Sequence, residues 1–465
     1  VWRVVSHDKP EINPLEIARF AHEGAVLSLA WNARRNVLVS AADDRSVKSW
    51  AMPQLRELTL TENEPDVAAA VTCPPDRDDF IVARLDGSLA LHALAPAGDA
   101  PDARGRPPGS VLASDKEIRQ AAALAVPGSA AGVIDAQPRQ RGPLYRFAAK
   151  AGQTLVLETN AARSKSPLDT KVEVLTADGR RIERVLLQAV RDSYFTFRGK
   201  DSRQTNDFRV HNWEEMKLNQ FLYASGEVTQ LFFYPRGPDS GFDVYPKFGT
   251  RHTYFDTSGV AHALGEPCYI VEPHAPSDSI VPNGLPVFPV YFENDDDPLG
   301  KLGSDSRLTF VAPADGDYLA RVSDARGFGG PQYKYTLSIR EAQPNFQVRL
   351  EGFQSPVPRG AGKMFNLKAD RVDGFDGEIE IEIANLPAGF FVAGPLTIQA
   401  GQWEAQGALD ATAEAQDAAE DDWKKVEITA HARIGEQRVS HSVGGFGQVK
   451  LADPPGVMLS LSPLG

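Results

Sequence analysis

Cysteine is nearly missing from this chain: Cys73 and Cys268 are the only two among 465 residues. Two thiols so far apart in sequence build neither a disulfide framework nor a metal quartet, so both read as packed thiols. Long apolar runs are also lacking. No stretch reaches the roughly 18 consecutive apolar residues that a bilayer-spanning helix needs. Positive charge is in deficit, with 49 Lys and Arg against 62 Asp and Glu and a net charge of −13. Nucleic acid and anionic membrane both call for a basic footprint, so neither is expected as a partner; small cations suit this balance better. The familiar nucleotide-binding glycine fingerprints are absent, as is the G-x-S-x-G elbow of serine hydrolases.

What is present is strand-and-turn text. Hydrophobic residues at 42% and charged residues at 24% describe an ordinary folded protein, and the length suits about three domains. Residues 1–95 hold short apolar runs such as "VLSLAWN", "VLVSAA", "FIVARL" and "SLALHAL", with no helical period. Two stretches, 21–52 and 64–94, repeat one plan of strand, turn, strand, Asp-containing turn, strand. A repeat of about 40 residues is the mark of a propeller blade. The first stretch resembles a WD repeat, with His22 before Gly24, Asp44 in the tight turn and Trp50 ending the third strand. The second is degenerate, with Asp86 in the turn and His92 near the Trp position. The resemblance implies a buried hydrogen-bond network around His and Asp, and structural rather than catalytic roles. "VWRV" at 1–4 looks like the tail of another blade. Closed propellers need roughly four to eight blades, so further blades upstream are expected.

Residues 96–132 are rich in Pro, Gly and Ala and read as a linker, with "SDKEIRQAAAL" as a short helix capped by Ser114. From 133 the text turns to paired strands. "SPLDTKVEVLTADG" (166–179) and "SDSRLTFVAPADGDY" (304–318) resemble the two halves of a pre-peptidase C-terminal (PPC) domain, a β-sandwich of exported bacterial proteins. The halves stand far apart, so a PPC-like jelly-roll sandwich over 133–343 is expected to be split by an insertion at 184–292. An exported setting (periplasmic, cell-surface or secreted) follows from the resemblance. No leader stands at Val1, and for an exported protein it would be removed or lie outside this sequence. The insertion is dense in aromatics and should fold as a small β-rich body around its own core. Residues 344–465, with "RVDGFDGEIEIEIANLPAGF" at 371–390, resemble the immunoglobulin-like modules of bacterial surface proteins. The predicted class is all-β throughout: a partial β-propeller, a split sandwich and a second sandwich.

The sharpest local feature is the acidic knot Glu293-Asn294-Asp295-Asp296-Asp297. Calcium takes six to eight oxygen ligands. Adjacent strand side chains point to opposite faces, so three consecutive aspartates reach one ion only if the chain curls. Partners must come from elsewhere. Asp169 precedes the strand that, by the PPC resemblance, packs beside this turn, and Asp305 lies just downstream. Asp169, Asn294, Asp295, Asp296, Asp297 and Asp305 are therefore the candidate calcium ligands, and a solvated charged turn is the alternative. The spacing is not that of an EF-hand loop.

His252, His262, Cys268 and His274 follow no zinc spacing and read as packed or turn residues. Ser240 in "PDSGFD" fits turn chemistry. Aromatic β surfaces also stack on ring-shaped ligands, which makes Trp213, Tyr234 and Tyr245 candidates for a binding platform. The reading that results is a non-catalytic binding or scaffolding protein that engages protein or an extracellular polymer, glycan or collagen-like. The rival is a hydrolase or accessory module with its site in 184–292.

Overall fold

A computed structural model describes residues 4–9, 18, 21–22, 24–52, 55–61, 64–75, 77–94, 112–135, 142–197, 199, 204–237, 239–247 and 249–456. The protein is all-β: among the described residues, apart from two short helices and two 3-10 turns, the regular elements are strands. It divides into two units, Val1–Glu341 and Ala342–Gly465.

The first unit opens on two antiparallel sheets, over the stretches with the blade resemblance. Strands β1 (Val26–Asn32), β2 (Val37–Ala42), β3 (Val47–Ala51) and β4 (Arg56–Thr61) form one antiparallel sheet in chain order. Strands β5 (Ala68–Thr72), β6 (Asp79–Arg84) and β7 (Leu89–Ala93) form the next. Alternation puts Val37, Val39 and Val47 of the first sheet into one core with Val71, Phe80 and Val82 of the second. The polar network implied by the WD resemblance is present in the first blade. His22 hydrogen-bonds Ser46 Oγ at 2.6 Å and Ser40 Oγ at 2.7 Å, and Trp50 Nε1 donates to Ser40 Oγ at 2.8 Å. Asp44 accepts the Gly24 N–H at 3.0 Å and the Ser46 hydroxyl at 2.6 Å. In the degenerate blade His92 stands in place of the Trp. It stacks on Phe80 at 5.2 Å and sits 3.2 Å from buried Glu64.

Residues 96–111 of the expected linker, and residues 1–3 of "VWRV", lie outside the described residues. The rest of the linker expectation is corrected. Ser114 does cap helix α1 (Asp115–Gln120), in a capping box with Glu117. The segment beyond is no linker: β8 (Ala122–Ala123) and β9 (Gly128–Val133) join the two sheets of the sandwich. Small side chains make this possible. A Cβ at Gly132 would lie 2.4 Å from the Tyr335 ring, so "GSAAGV" is suited to lie close against an aromatic strand rather than to swing free.

The sandwich continues with β10 (Leu144–Ala149), β11 (Thr154–Asn160) and β12 (Thr170–Thr176). The chain then leaves it for the insertion: β13 (Glu183–Tyr194), β14 (Asp207–Phe208), β15 (Phe221–Ala224), β16 (Glu227–Gln230), β17 (Phe242–Asp243), β18 (Pro267–His274) and β19 (Val287–Tyr291). It returns as β20 (Glu293–Asn294), β21 (Arg307–Val311), β22 (Gly316–Asp324) and β23 (Lys334–Glu341). The two pieces interleave. Strand β12 lies between β20 and β22, with Val172 opposite both Asn294 and Val322. Strand β11 lies between β21 and β23, with Leu157 opposite Leu308 and Ile339. Leu155, Leu157, Val172 and Val174 from the first piece share one core with Phe310, Val322, Leu337 and Ile339 from the second. Each such side chain contributes about 1.5–3 kcal/mol on burial, so the two pieces stabilise each other.

The insertion builds a five-stranded sheet ordered β16-β15-β18-β13-β19 and a small β14-β17 pair. Phe195, Phe208, Leu222, Phe242, Tyr245 and Ile270 fill its core. The second unit, described by itself, holds two four-stranded antiparallel sheets around Phe346, Phe365, Leu367, Ile379, Leu409 and Ile428. The side chain of Arg371 in that unit donates to the carbonyls of Gln402, Gly377 and Gln399 at 3.0, 2.6 and 3.0 Å.

Candidate functional site

The acidic knot is a pinned corner between β20 and β21, and its donors are largely spent. Asn294 accepts the Ser258 hydroxyl at 2.8 Å and gives its amide to the Arg307 carbonyl at 2.9 Å. Asp296 pairs with Arg251 at 2.6 Å. Buried Asp297 accepts the Lys301 N–H at 2.7 Å and closes a turn. Glu293 pairs with Arg181 at 2.7 Å and Lys171 at 3.3 Å. Burial alone would raise the Glu293 carboxyl, but these two cations hold it below its usual range. Asp305 points elsewhere: it accepts the N–H groups of Ala161, Ala162 and Arg163 at 2.7, 2.8 and 3.2 Å, and Arg163 Nε at 2.8 Å. Four donors on one carboxylate make it a cap for the 3-10 turn after β11, which fully accounts for its burial.

Asp169 and Asp295 are left. The Asp295 side chain accepts the Ser258 hydroxyl. Asp169 donates its own N–H to Asp324 at 3.1 Å, and its carboxylate lies 3.7 Å from Arg326 Nε. Burial, then the negative charge of Asp295, push the Asp169 carboxyl up to about 8, against the pull of Arg326. Burial and Asp295 likewise push Asp296 up to about 6. The corner thus gathers carboxylates from both sides of the insertion, and arginines answer most of their charge. Among the described residues no three His, Cys, Asp or Glu side chains are grouped to hold a metal ion.

The histidines of the insertion do not converge. His262 is fully buried, with Glu227 Oε2 at 2.7 Å from Nε2 and Glu266 Oε1 at 3.1 Å from Nδ1. Phe195 stacks on its ring at 4.6 Å. Burial alone would lower this imidazole, but the charge of Glu266 and the contact with Glu227 raise it to about 9. His252 packs against Tyr254 and Phe232 at 5.1 and 6.0 Å. Cys268 is a buried thiol pushed up to about 12 by burial. Ser240 accepts the N–H groups of Arg236 and Gly237 at 2.7 and 3.1 Å and organises its own turn.

The aromatic platform is only partly as expected. Tyr245 is corrected: it is fully buried, and its hydroxyl, which the low-dielectric core would otherwise leave unpaired, donates to Glu227. Trp213 and Tyr234 do reach the surface, 37% and 49% exposed, and both pack on Phe242, at 6.5 and 5.6 Å. Trp213 lines a cleft of about 360 Å³ together with Thr196, Arg209, His211, Asn212 and Ser240.

Arg209, His211 and Asn212 were missed by sequence reasoning. Their signal is the alternation in "FRVHNW" (208–213). Phe208 and Val210 enter the core, so Arg209 and His211 face the other way. His211 stacks on Tyr194 at 4.7 Å. The Arg209 guanidinium lies over Phe197 at 4.1 Å and only 3.9 Å from Asp207, whose own oxygens take the Thr205 hydroxyl and the Gly241 N–H.

No family model and no curated protein matches the chain. Among solved structures, one similar chain is the surface layer protein SbsC, domains 1–6. The TM-score there is 0.17 and the identity 9%, over 67% of this chain and 55% of that one. Another is the WD40 domain of SCAP from fission yeast, at TM-score 0.13 and 11% identity, over 92% of this chain and 89% of that one. The chain thus spans little more than half the length of the surface-layer structure. Likeness at these TM-scores carries no weight for fold or function.

Proposed function

We propose that this chain is a non-catalytic binding or scaffolding protein of the cell envelope or extracellular space, and that the cleft on its insertion engages a glycan or other polymer. The observation that supports this is the cleft itself. An indole 37% exposed shares one cleft with the side chains of Arg209, His211 and Asn212, the composition of a recognition site. The setting outside the cytoplasm rests on the PPC-like character of the split sandwich. The blades serve as a protein-docking element in this reading. Retention on insoluble polysaccharides and collagen-like polymers tests it, with a panel of peptide and ester substrates alongside. Retention that falls on Trp213→Ala, without turnover, supports the binder. Turnover lost on His252→Ala or His262→Ala would replace it with the hydrolase.

The calcium expectation enters in a reduced form. Asp169 and Asp295 would carry it, since Asp305, Asn294 and Asp297 are engaged by backbone and side-chain donors and Asp296 by Arg251. Any ion there would stabilise the corner at the base of the insertion by linkage to folding.

A further inference from the structure

We infer that the cleft on the insertion recognises a sugar ring bearing a carboxylate, with Arg209 on the acid group and Trp213 against the ring. This deepens the binding reading and rests on it. Three observations combine.

The first is an unmet demand. The Arg209 side chain is 23% exposed, and its Nε is buried without a hydrogen-bond partner. Buried polar groups are nearly always paired, so an unpaired one marks a guanidinium whose hydrogen-bonding capacity is not used up by the described residues. Among the described residues the acid beside it is Asp207, but at 3.9 Å it is beyond hydrogen-bond reach, and its two oxygens already accept Thr205 Oγ1 at 2.5 Å and the Gly241 N–H at 2.7 Å.

The second is preorganisation. The guanidinium lies over the Phe197 ring at 4.1 Å, which restricts its plane. A planar fork of N–H donors matches a carboxylate in two parallel hydrogen bonds, which a neutral sugar hydroxyl cannot reproduce.

The third is what surrounds it. Trp213 lines the same cleft, and its indole rests edge-on against Phe242 at 6.5 Å, so it is held in place while remaining 37% exposed. His211 and Asn212 also line the cleft and carry N–H donors. Glu214 also lines the cleft. With a net charge of −13 the protein as a whole repels long polyanions. A single acidic ring, such as a chain-terminal uronic acid, meets the local cation without that penalty.

The experiment is titration of the full chain with glucuronate-terminated oligosaccharide, its neutral glucose-terminated counterpart and inorganic phosphate. Binding is followed by calorimetry for the wild type, Arg209→Gln and Trp213→Ala, with circular dichroism to check folding. The acidic oligosaccharide is expected to bind at least tenfold more tightly than the neutral one. Arg209→Gln should erase that preference, and Trp213→Ala should weaken both sugars. Equal binding of acidic and neutral sugars by wild type and Arg209→Gln overturns the carboxylate assignment while leaving the binding function standing. Phosphate binding as tightly as the acidic sugar, insensitive to Trp213→Ala, overturns the ring assignment. Absence of binding to any of the three overturns this inference, and retention on another polymer would then show that the broader reading survives without it.

Discussion

Asp305 accepts the backbone N–H of Ala161 at 2.7 Å across 144 residues of sequence. That bond ties the piece of sandwich after the insertion to the piece before it. The same carboxylate serves Ala162 and Arg163, so its loss strands several donors at once. Asp305→Ala is expected to cost about 3 kcal/mol, read as a lower urea midpoint for the first unit. An unchanged midpoint would mean that the two pieces do not depend on this cap.

His262 makes a pH prediction. Its folded pKa of about 9 lies above the roughly 6.5 of an unfolded chain. A raised folded pKa means that the protonated imidazole favours folding. The contribution is full below about pH 6.5 and is lost as pH rises through about 9. Urea midpoints of the wild type should therefore fall between pH 7 and 9.5, and His262→Gln should flatten that slope. Parallel profiles for the two proteins would show that the imidazole is held neutral between its glutamates.

Asp169 tests the acidic corner. In chelator near neutral pH, Asp169→Asn removes the cost of protonating a carboxyl that burial and Asp295 hold at about 8, so Tm should rise by about 2–4 °C. Excess calcium that lifts the wild-type Tm above its value in chelator, with no such lift in Asp169→Asn, identifies a bound ion. Identical wild-type melting in calcium and chelator ends the ion proposal.

Ser40 sits between His22 and Trp50 in the first blade. Ser40→Ala leaves the indole N–H and an imidazole nitrogen without their partner, at a cost of about 1–3 kcal/mol. Amide exchange should quicken across 26–61 and stay unchanged across 144–176. Exchange that quickens equally in both would show that blade and sandwich open together.

The alternating strands were legible because alternation is a property of neighbours in sequence. "TKVEVLT" and "KYTLSIRE" announce which residues turn inward, and Val172, Val174, Leu337 and Ile339 do so. The "ADG" hairpin was readable for the same reason, since Gly179 takes the left-handed backbone that such a turn requires. The edge strand in "GSAAGV" was not, because its small residues look like linker until Tyr335 is placed against Gly132.

By itself, then, the sequence determined an all-β chain and pointed to a buried polar network around His22 and Asp44 and to two separated stretches that pair as strands. The serines that complete the network came only with the structure. Only the tertiary structure decided which polar groups were already spent. Asp305 and Tyr245 look as available in sequence as Asp169 and Trp213. They differ because Asp305 meets amides 142 to 144 positions away and Tyr245 meets Glu227 inside the core. A side chain's freedom to bind something depends on the partners that folding brings to it, and those contacts are too distant in sequence to leave a local mark.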